Sequence, residues 1–262
     1  MKLIQIFCVS AFLLGFTNKS FATTYAVVVA IADYLHFPPS QGDLKYTVSD
    51  AQNFYNYLRS DLGGKVPQNQ MRYLVNNHAS KSNITAALRY LFKFAKPEDK
   101  VIFYFSGHGD HGAFIPYDFD KSEASTLFHR EVKEIFKNCR AKTKICIADA
   151  CYSGSITQKD IPRNIKSKLE SKPAIDVVIL MSSRPNETSI ESAKLHQGLF
   201  SHFLLEGMKG KADKDNNRQI SIEELFQFVH SNVTSVSTYH YRSPQHPIAY
   251  GHFSRNLVIT TY

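Results

Sequence analysis

Two short motifs in this 262-residue chain carry side chains able to do covalent chemistry. One is Ser106-Gly107-His108-Gly109; the other is Asp149-Ala150-Cys151-Tyr152-Ser153-Gly154-Ser155. Each follows an apolar run that reads as a buried strand. A thiol becomes a strong nucleophile when a nearby base takes its proton, and histidine is the usual base at neutral pH. A His and a Cys leaving neighbouring strand ends could face each other across one crevice. The glycines let a substrate backbone approach closely and leave amide N–H groups to hold an oxyanion. Each residue alone has a plainer reading: a hydrogen-bonded core histidine, or a small buried hydrophobe. Their joint pattern, with Cys151 43 residues after His108, favours the catalytic pair. His111 is a rival base, but it lies further from the strand end and lacks the glycine pair. Because side chains alternate along a strand, Asp149 shares a side with Cys151, and Ser106 shares one with His108.

A second constellation suits a hard cation. Asp213, Asp215, Asn217, Gln219, Ser221 and Glu224 fall at positions 1, 3, 5, 7, 9 and 12 of a calcium loop, and a helix pattern follows. Arg218 stands where such a loop has glycine. The same residues read equally as an acidic turn that caps the next helix. Calcium is therefore left open, and no other cofactor is required.

The elements that must position these groups alternate. Strand patterns cover 25–31, 71–75, 101–105, 144–148, 177–181 and 256–260. Helix patterns cover 49–62, 83–94, 128–136, 198–208 and 222–229. Such alternation predicts an α/β fold with a mostly parallel sheet covered on both faces. Long connections at 34–48, 110–127, 153–176 and 183–195 leave from strand carboxyl ends, where open α/β sheets bind ligands.

Residues 1–22 read as a secretory leader. Met1-Lys2 is followed by about 14 apolar or small residues, too few to span a bilayer, and Ser20-Phe21-Ala22 suits a cut after Ala22. The expectation is a secreted or periplasmic single domain over 23–262, with no membrane segment after cleavage. Removal of Lys2 and Lys19 lowers the charge from +8 to +6. No Arg-rich helix or stacking-aromatic motif supports nucleic-acid binding. With 43 % hydrophobic residues the chain can bury a sizeable core, which excludes a disordered or fibrous protein. Of the three remaining cysteines, Cys139 and Cys146 read as unpaired small hydrophobes. The loop over 153–176, with Lys159, Arg163, Lys166, Lys168 and Lys172, is either a self-cleavage site or a solvated basic loop. Asn83, Asn186 and Asn232 head N-glycosylation patterns.

The strand–SGHG and strand–DACYSG motifs resemble the caspase-like clan of cysteine peptidases (peptidase C14-like), metacaspases and bacterial caspase-family proteins above all. The stretches 25–33, Val48-Ser49-Asp50-Ala51, Ser182-Ser183, Gly198-Leu199-Phe200-Ser201 and Gln245-His246-Pro247 also look like the family. The resemblance implies a caspase-like three-layer α-β-α sandwich around a mostly parallel six-stranded sheet. It implies Cys151 as nucleophile, His108 as general acid/base, and the amides of Gly109 and Cys151 as the oxyanion hole. It implies a substrate pocket built from Asp50, Ser106, Asp149, Ser182 and Ser183. Metacaspases cleave after Arg or Lys, and two carboxylates facing one guanidinium make strong charge-assisted hydrogen bonds. The plainer readings are a helix N-cap for Asp50 and a strand-end residue bonding loop amides for Asp149. The expected partners are protein or peptide substrates with Arg or Lys at P1, met by a monomer. Calcium activation and self-processing are further expectations. The alternatives are a legumain-like Asn-specific peptidase and a non-proteolytic binding or signalling module on the same fold.

Overall fold

The computed structural model describes residues 22–38, 43–110, 112–150 and 176–262. The expected leader up to residue 21, His111, Cys151 and the basic loop behind it lie outside these residues. In chain order the strands are β1 (Thr24–Ala30), β2 (Met71–Val75), β3 (Lys100–Ser106), β4 (Gly109–Asp110), β5 (Ala113–Phe114), β6 (Leu127–Phe128) and β7 (Thr143–Asp149). They continue with β8 (Asp176–Met181), β9 (Glu191–Ser192), β10 (Gln197–Gly198), β11 (Gln219–Ser221), β12 (Ile248–His252) and β13 (Val258–Thr261). The helices are α1 (Thr47–Arg59), α2 (Lys81–Phe92), α3 (His129–Asn138), α4 (Leu199–Glu206) and α5 (Ile222–Val236).

The central sheet runs β12-β8-β7-β3-β1-β2, parallel throughout except for β12, which is antiparallel to β8. Its middle strands are apolar on both faces, as burial between two helical layers requires. Val27, Val29, Phe103, Phe105, Cys146 and Met181 pack with α2 and α3 on one side. Ala26, Val28, Tyr104, Ile145, Ile147 and Leu180 pack with α1, α4 and α5 on the other. The three-layer sandwich is thus the observed architecture. None of the described helices is long and apolar enough to cross a membrane.

Several boundaries differ from the sequence reading; α5, for one, runs on to Val236, past the expected end at 229. The sixth strand of the central sheet is β12, not the expected strand over 256–260. That segment forms β13 and pairs antiparallel with β11 in a separate two-stranded ribbon. β12 hides because Gly251 interrupts its pattern at φ 125°, where a Cβ would collide with the Val177 carbonyl oxygen. The expected helix over 198–208 ends as α4 at Glu206, and a π-helical turn, Gly207–Lys211, follows it with Gly210 at φ 118°.

At the far end of the sheet from the motifs, Thr23 N–H donates to Asp99 Oδ1 at 2.8 Å and Lys96 N–H to Asp99 Oδ2 at 2.7 Å. Cys139 and Cys146 are both buried and unpaired. Burial pushes the Cys146 thiol up to about 12, which leaves it chemically inert at neutral pH.

Candidate active site

The register of β3 against β7 sets the site. Ser106 pairs with Asp149, so the two motifs leave adjacent strands at the same level. Gly107 N–H donates to the Asp149 carbonyl at 3.1 Å, carrying the ladder one step past the strand ends. Ser106 and Asp149 lie in phase with Tyr104 and Ile147 and project toward the layer of α1 and α4. Asp50 enters from the first turn of α1, and Gly198 stands at the start of α4.

These groups line one cleft together with Thr47, Ser189 and Glu191, and His108 borders it. Asp50 accepts from Gly198 N–H through both carboxylate oxygens, at 2.9 and 3.1 Å. Its side chain caps no helix: the N-cap position of α1 is Tyr46, and no side chain caps it. Asp149 Oδ2 accepts from the Ser201 hydroxyl at 2.8 Å and the Ser201 N–H at 3.3 Å. That hydroxyl also meets the Tyr104 phenol at 2.6 Å. A Cβ on Gly198 would stand 2.8 Å from Asp50 Oδ2 and 2.6 Å from Asp149 Oδ2. The two carboxylates therefore converge on the one residue with no side chain to exclude them.

Both acids are nearly buried, Asp50 2 % and Asp149 7 % exposed. Burial first, and then the Asp149 charge, hold Asp50 well above the ordinary carboxylate range. Burial raises Asp149 as well, against the hydrogen bonds from Ser201. Like charges this close, out of water, cannot both ionise cheaply, so the pair keeps a proton to higher pH than two separate acids would. Thr47 Oγ1 and Ser106 Oγ, also at the cleft, lack a partner of hydrogen-bond geometry among the described residues. No Lys or Arg is among the described residues of this lining.

Glu191 is the acid that sequence reading missed. Its carboxylate accepts from Lys45 and Tyr46 N–H at 2.7 to 3.1 Å, tying β9 to the entry of α1. Nothing in a linear pattern marks it, because its partners lie about 145 residues away. Ser182 and Ser183 are not on the cleft wall. Both are fully buried. The Ser182 hydroxyl bonds both the N–H and the carbonyl of Ala150 at 3.2 Å and also meets Ser189 Oγ, so it fixes the residue before Cys151. Ser183 Oγ donates to the Glu187 carbonyl at 3.1 Å.

His108 is half-buried. Its N–H donates to the Tyr34 hydroxyl at 2.6 Å, and the two rings lie 4.9 Å apart. Ile115 N–H donates to the His108 carbonyl, so Gly109 sits opposite Phe114 in a non-hydrogen-bonded pair. The Gly109 amide is consequently turned away from the β4–β5 ladder.

The second constellation is a compact loop. Carboxylate oxygens of Asp213, Asp215 and Glu224 all lie within 4.8 Å of one another. Arg218, in the glycine position, adopts φ 62°, the left-handed turn such a loop needs. Asn217 Nδ2 donates to Asp215, and the N–H groups of Asn217 and Arg218 donate to Asp213. Gln219 opens β11. Ser221 and Glu224 form a capping box on α5, so the helix-capping role is also met.

Comparison with known proteins agrees with this architecture. The family profile described as a caspase domain matches residues 23–258. A probable protease of a Desulfuromonadales bacterium is 26 % identical over 248 residues, covering 80 % of this chain and 29 % of the relative. Metacaspase-1A of Aspergillus oryzae is 28 % identical over 134 residues, covering 44 % of this chain and 32 % of its own length. Metacaspase-1 of Debaryomyces hansenii is 26 % identical over 152 residues, covering 49 % and 32 %. The chain thus spans about a third of the length of these curated relatives. The family match runs through both strand-end motifs and all six strands of the central sheet, and on that ground the chain belongs to the caspase-domain peptidase family.

Proposed function

We propose that this chain is a cysteine endopeptidase that cuts after Arg or Lys. The observation that carries the specificity is the convergence of Asp50 and Asp149, with Glu191 nearby, in a cleft that His108 borders. A P1 guanidinium or ammonium entering that cleft takes the place of the proton held by the pair and offsets one of the two carboxylate charges. It also offers donors to the Ser106 and Thr47 hydroxyls. A P1 aspartate meets three carboxylates and is rejected.

In this reading the Cys151 thiolate attacks the scissile carbonyl and a tetrahedral oxyanion forms. The amides of Gly109 and Cys151 hold that charge. His108 protonates the leaving amine, and the C–N bond breaks. Water, deprotonated by His108, then releases the acyl group and restores the thiol. Ser182 and Tyr34 act through others, fixing the backbones of Ala150 and His108.

The loop of Asp213, Asp215 and Glu224 supports calcium binding as a second element of the proposal. Its donors are all oxygen, and Arg218 takes the required left-handed turn. Asp213, Asp215, Asn217 and Glu224 would supply side-chain oxygens and Gln219 its carbonyl. A bound calcium would offset two of the three carboxylate charges at the start of α5.

The test uses the chain from Thr23 to Tyr262 on fluorogenic peptides ending in Arg, Lys, Asn or Asp, beside Cys151→Ala. Cleavage after Arg and Lys, lost in the variant, is the expected result. Cleavage after Asn would assign the legumain-like specificity and discard the acidic-pocket argument. No cleavage in any lane would move the assignment to a zymogen awaiting processing or to a binding module.

A further inference from the structure

His108 borders a second depression on the side away from the acidic cleft. It is a groove of about 250 Å³ lined by Phe37, His108, Gly109, Asp110, Ile115 and Phe119. Its walls carry packed aromatic rings. Tyr34 meets Phe37 edge-on at 5.7 Å, and Phe37 meets Phe119 at 6.0 Å. Ile115 is buried, while Phe37 and Phe119 are half-exposed and pack at the margin of the core. The charged residue of the lining is Asp110, which is exposed at the rim.

The proposal rests on the peptidase reading above and goes beyond it. A general acid must sit against the nitrogen that leaves. With the P1 side chain in the acidic cleft on one side of His108, the peptide on the amine side of the scissile bond passes to the other side. The one groove among the described residues that shares His108 and Gly109 there is apolar. We propose that this groove seats the P1′ residue and selects a large apolar side chain. The chain would then read a dipeptide, a cation before the cut and a hydrophobe after it. Asp110 at the rim disfavours an acidic P1′ residue.

The experiment uses internally quenched peptides of one sequence, with Arg at P1 and Ala, Leu, Phe, Lys or Asp at P1′. Burying a Leu or Phe side chain instead of Ala raises kcat/KM about five- to thirty-fold. Asp at P1′ falls below Ala. Phe119→Ser and Phe37→Ala should each flatten the Leu-to-Ala ratio toward one. A second readout separates this from misfolding. Leucinamide and alaninamide compete with water for the acyl-enzyme made from an Arg ester, and only the amine enters the groove. Wild type should transfer the acyl group to leucinamide several-fold faster than to alaninamide, and the variants should not. Cleavage after Arg with no P1′ preference, or a preference that survives both variants, overturns the P1′ assignment and leaves the peptidase reading standing. No cleavage after Arg overturns both.

Discussion

Gly198→Ala separates shape from charge in the cleft. Gly198 has φ −63° and ψ 137°, a conformation open to any residue, so the backbone tolerates alanine. The added Cβ would stand 2.6 Å from Asp149 Oδ2 and 2.8 Å from Asp50 Oδ2, against ~3.5 Å for an ordinary non-bonded contact. Each carboxylate must retreat by ~1 Å, a large displacement in a close-packed interior. Asp50 then loses the Gly198 N–H, and Asp149 strains its bond from Ser201. A charge-assisted hydrogen bond contributes about 1.5–3 kcal/mol, so losing one contact to the P1 cation lowers kcat/KM by about 10- to 150-fold. The loss should fall mainly on KM, because ground state and transition state share that contact. Overpacking also costs about 1–3 kcal/mol, or a melting temperature lower by ~2–10 °C. The assay compares Arg-peptide hydrolysis with the rate of Cys151 alkylation by iodoacetamide. Alkylation should change far less, since the displacement falls on the Asp149 side chain while Ser182 still holds the Ala150 backbone, and Cys139 and Cys146 are buried. Unchanged Arg cleavage, or equal losses in both rates, refutes the reasoning.

The carboxylate pair also predicts two opposite pH dependences. A carboxyl whose folded pKa is raised stabilises the fold below its unfolded value, and that contribution is lost as pH rises through the folded value. Wild type should therefore lose melting temperature relative to Asp50→Asn between about pH 4 and pH 8, while its KM for Arg peptides falls. Parallel melting curves would remove the coupled pair. Calcium should raise the melting temperature by several degrees at ~100 times Kd, and Asp213→Asn or Glu224→Gln should abolish the shift; a chelator-insensitive melt rules the site out. Ser182→Ala removes both hydrogen bonds that hold the Ala150 backbone and should lower kcat about 10-fold at nearly constant KM. A KM effect alone would instead make Ser182 a binding residue.

Much of this design was legible in the chain. The strands behind His108 and Cys151 announce themselves as unbroken apolar runs because they are buried on both faces. The family resemblance put Ser106 beside Asp149, and the register pairs those two residues across β3 and β7. What escaped depends on distant partners. Glu191 is marked only by its bonds to Lys45 and Tyr46. Gly198 reads as a helix-start glycine, and its real constraint is the two carboxylates that fold against it. β12 was missed because an edge strand carries half a pattern, and Gly251 breaks even that. Ser182 and Ser183 were grouped with the pocket, yet buried hydroxyls beside a site often serve its backbone.

The hydrogen bond from Thr23 to Asp99 lies beside the cut expected after Ala22. Asp99 is only 3 % exposed and receives the Thr23 amide at 2.8 Å. A cut after Ala22 would replace that amide with an α-ammonium, charged at neutral pH, at the same spot. The bond is already charge-assisted through the carboxylate, and a cationic donor would add a direct Coulombic attraction to it. Loss of the leader would then be felt by the sheet as a new ion pair at the root of β1, and the trimmed chain would be the tighter one.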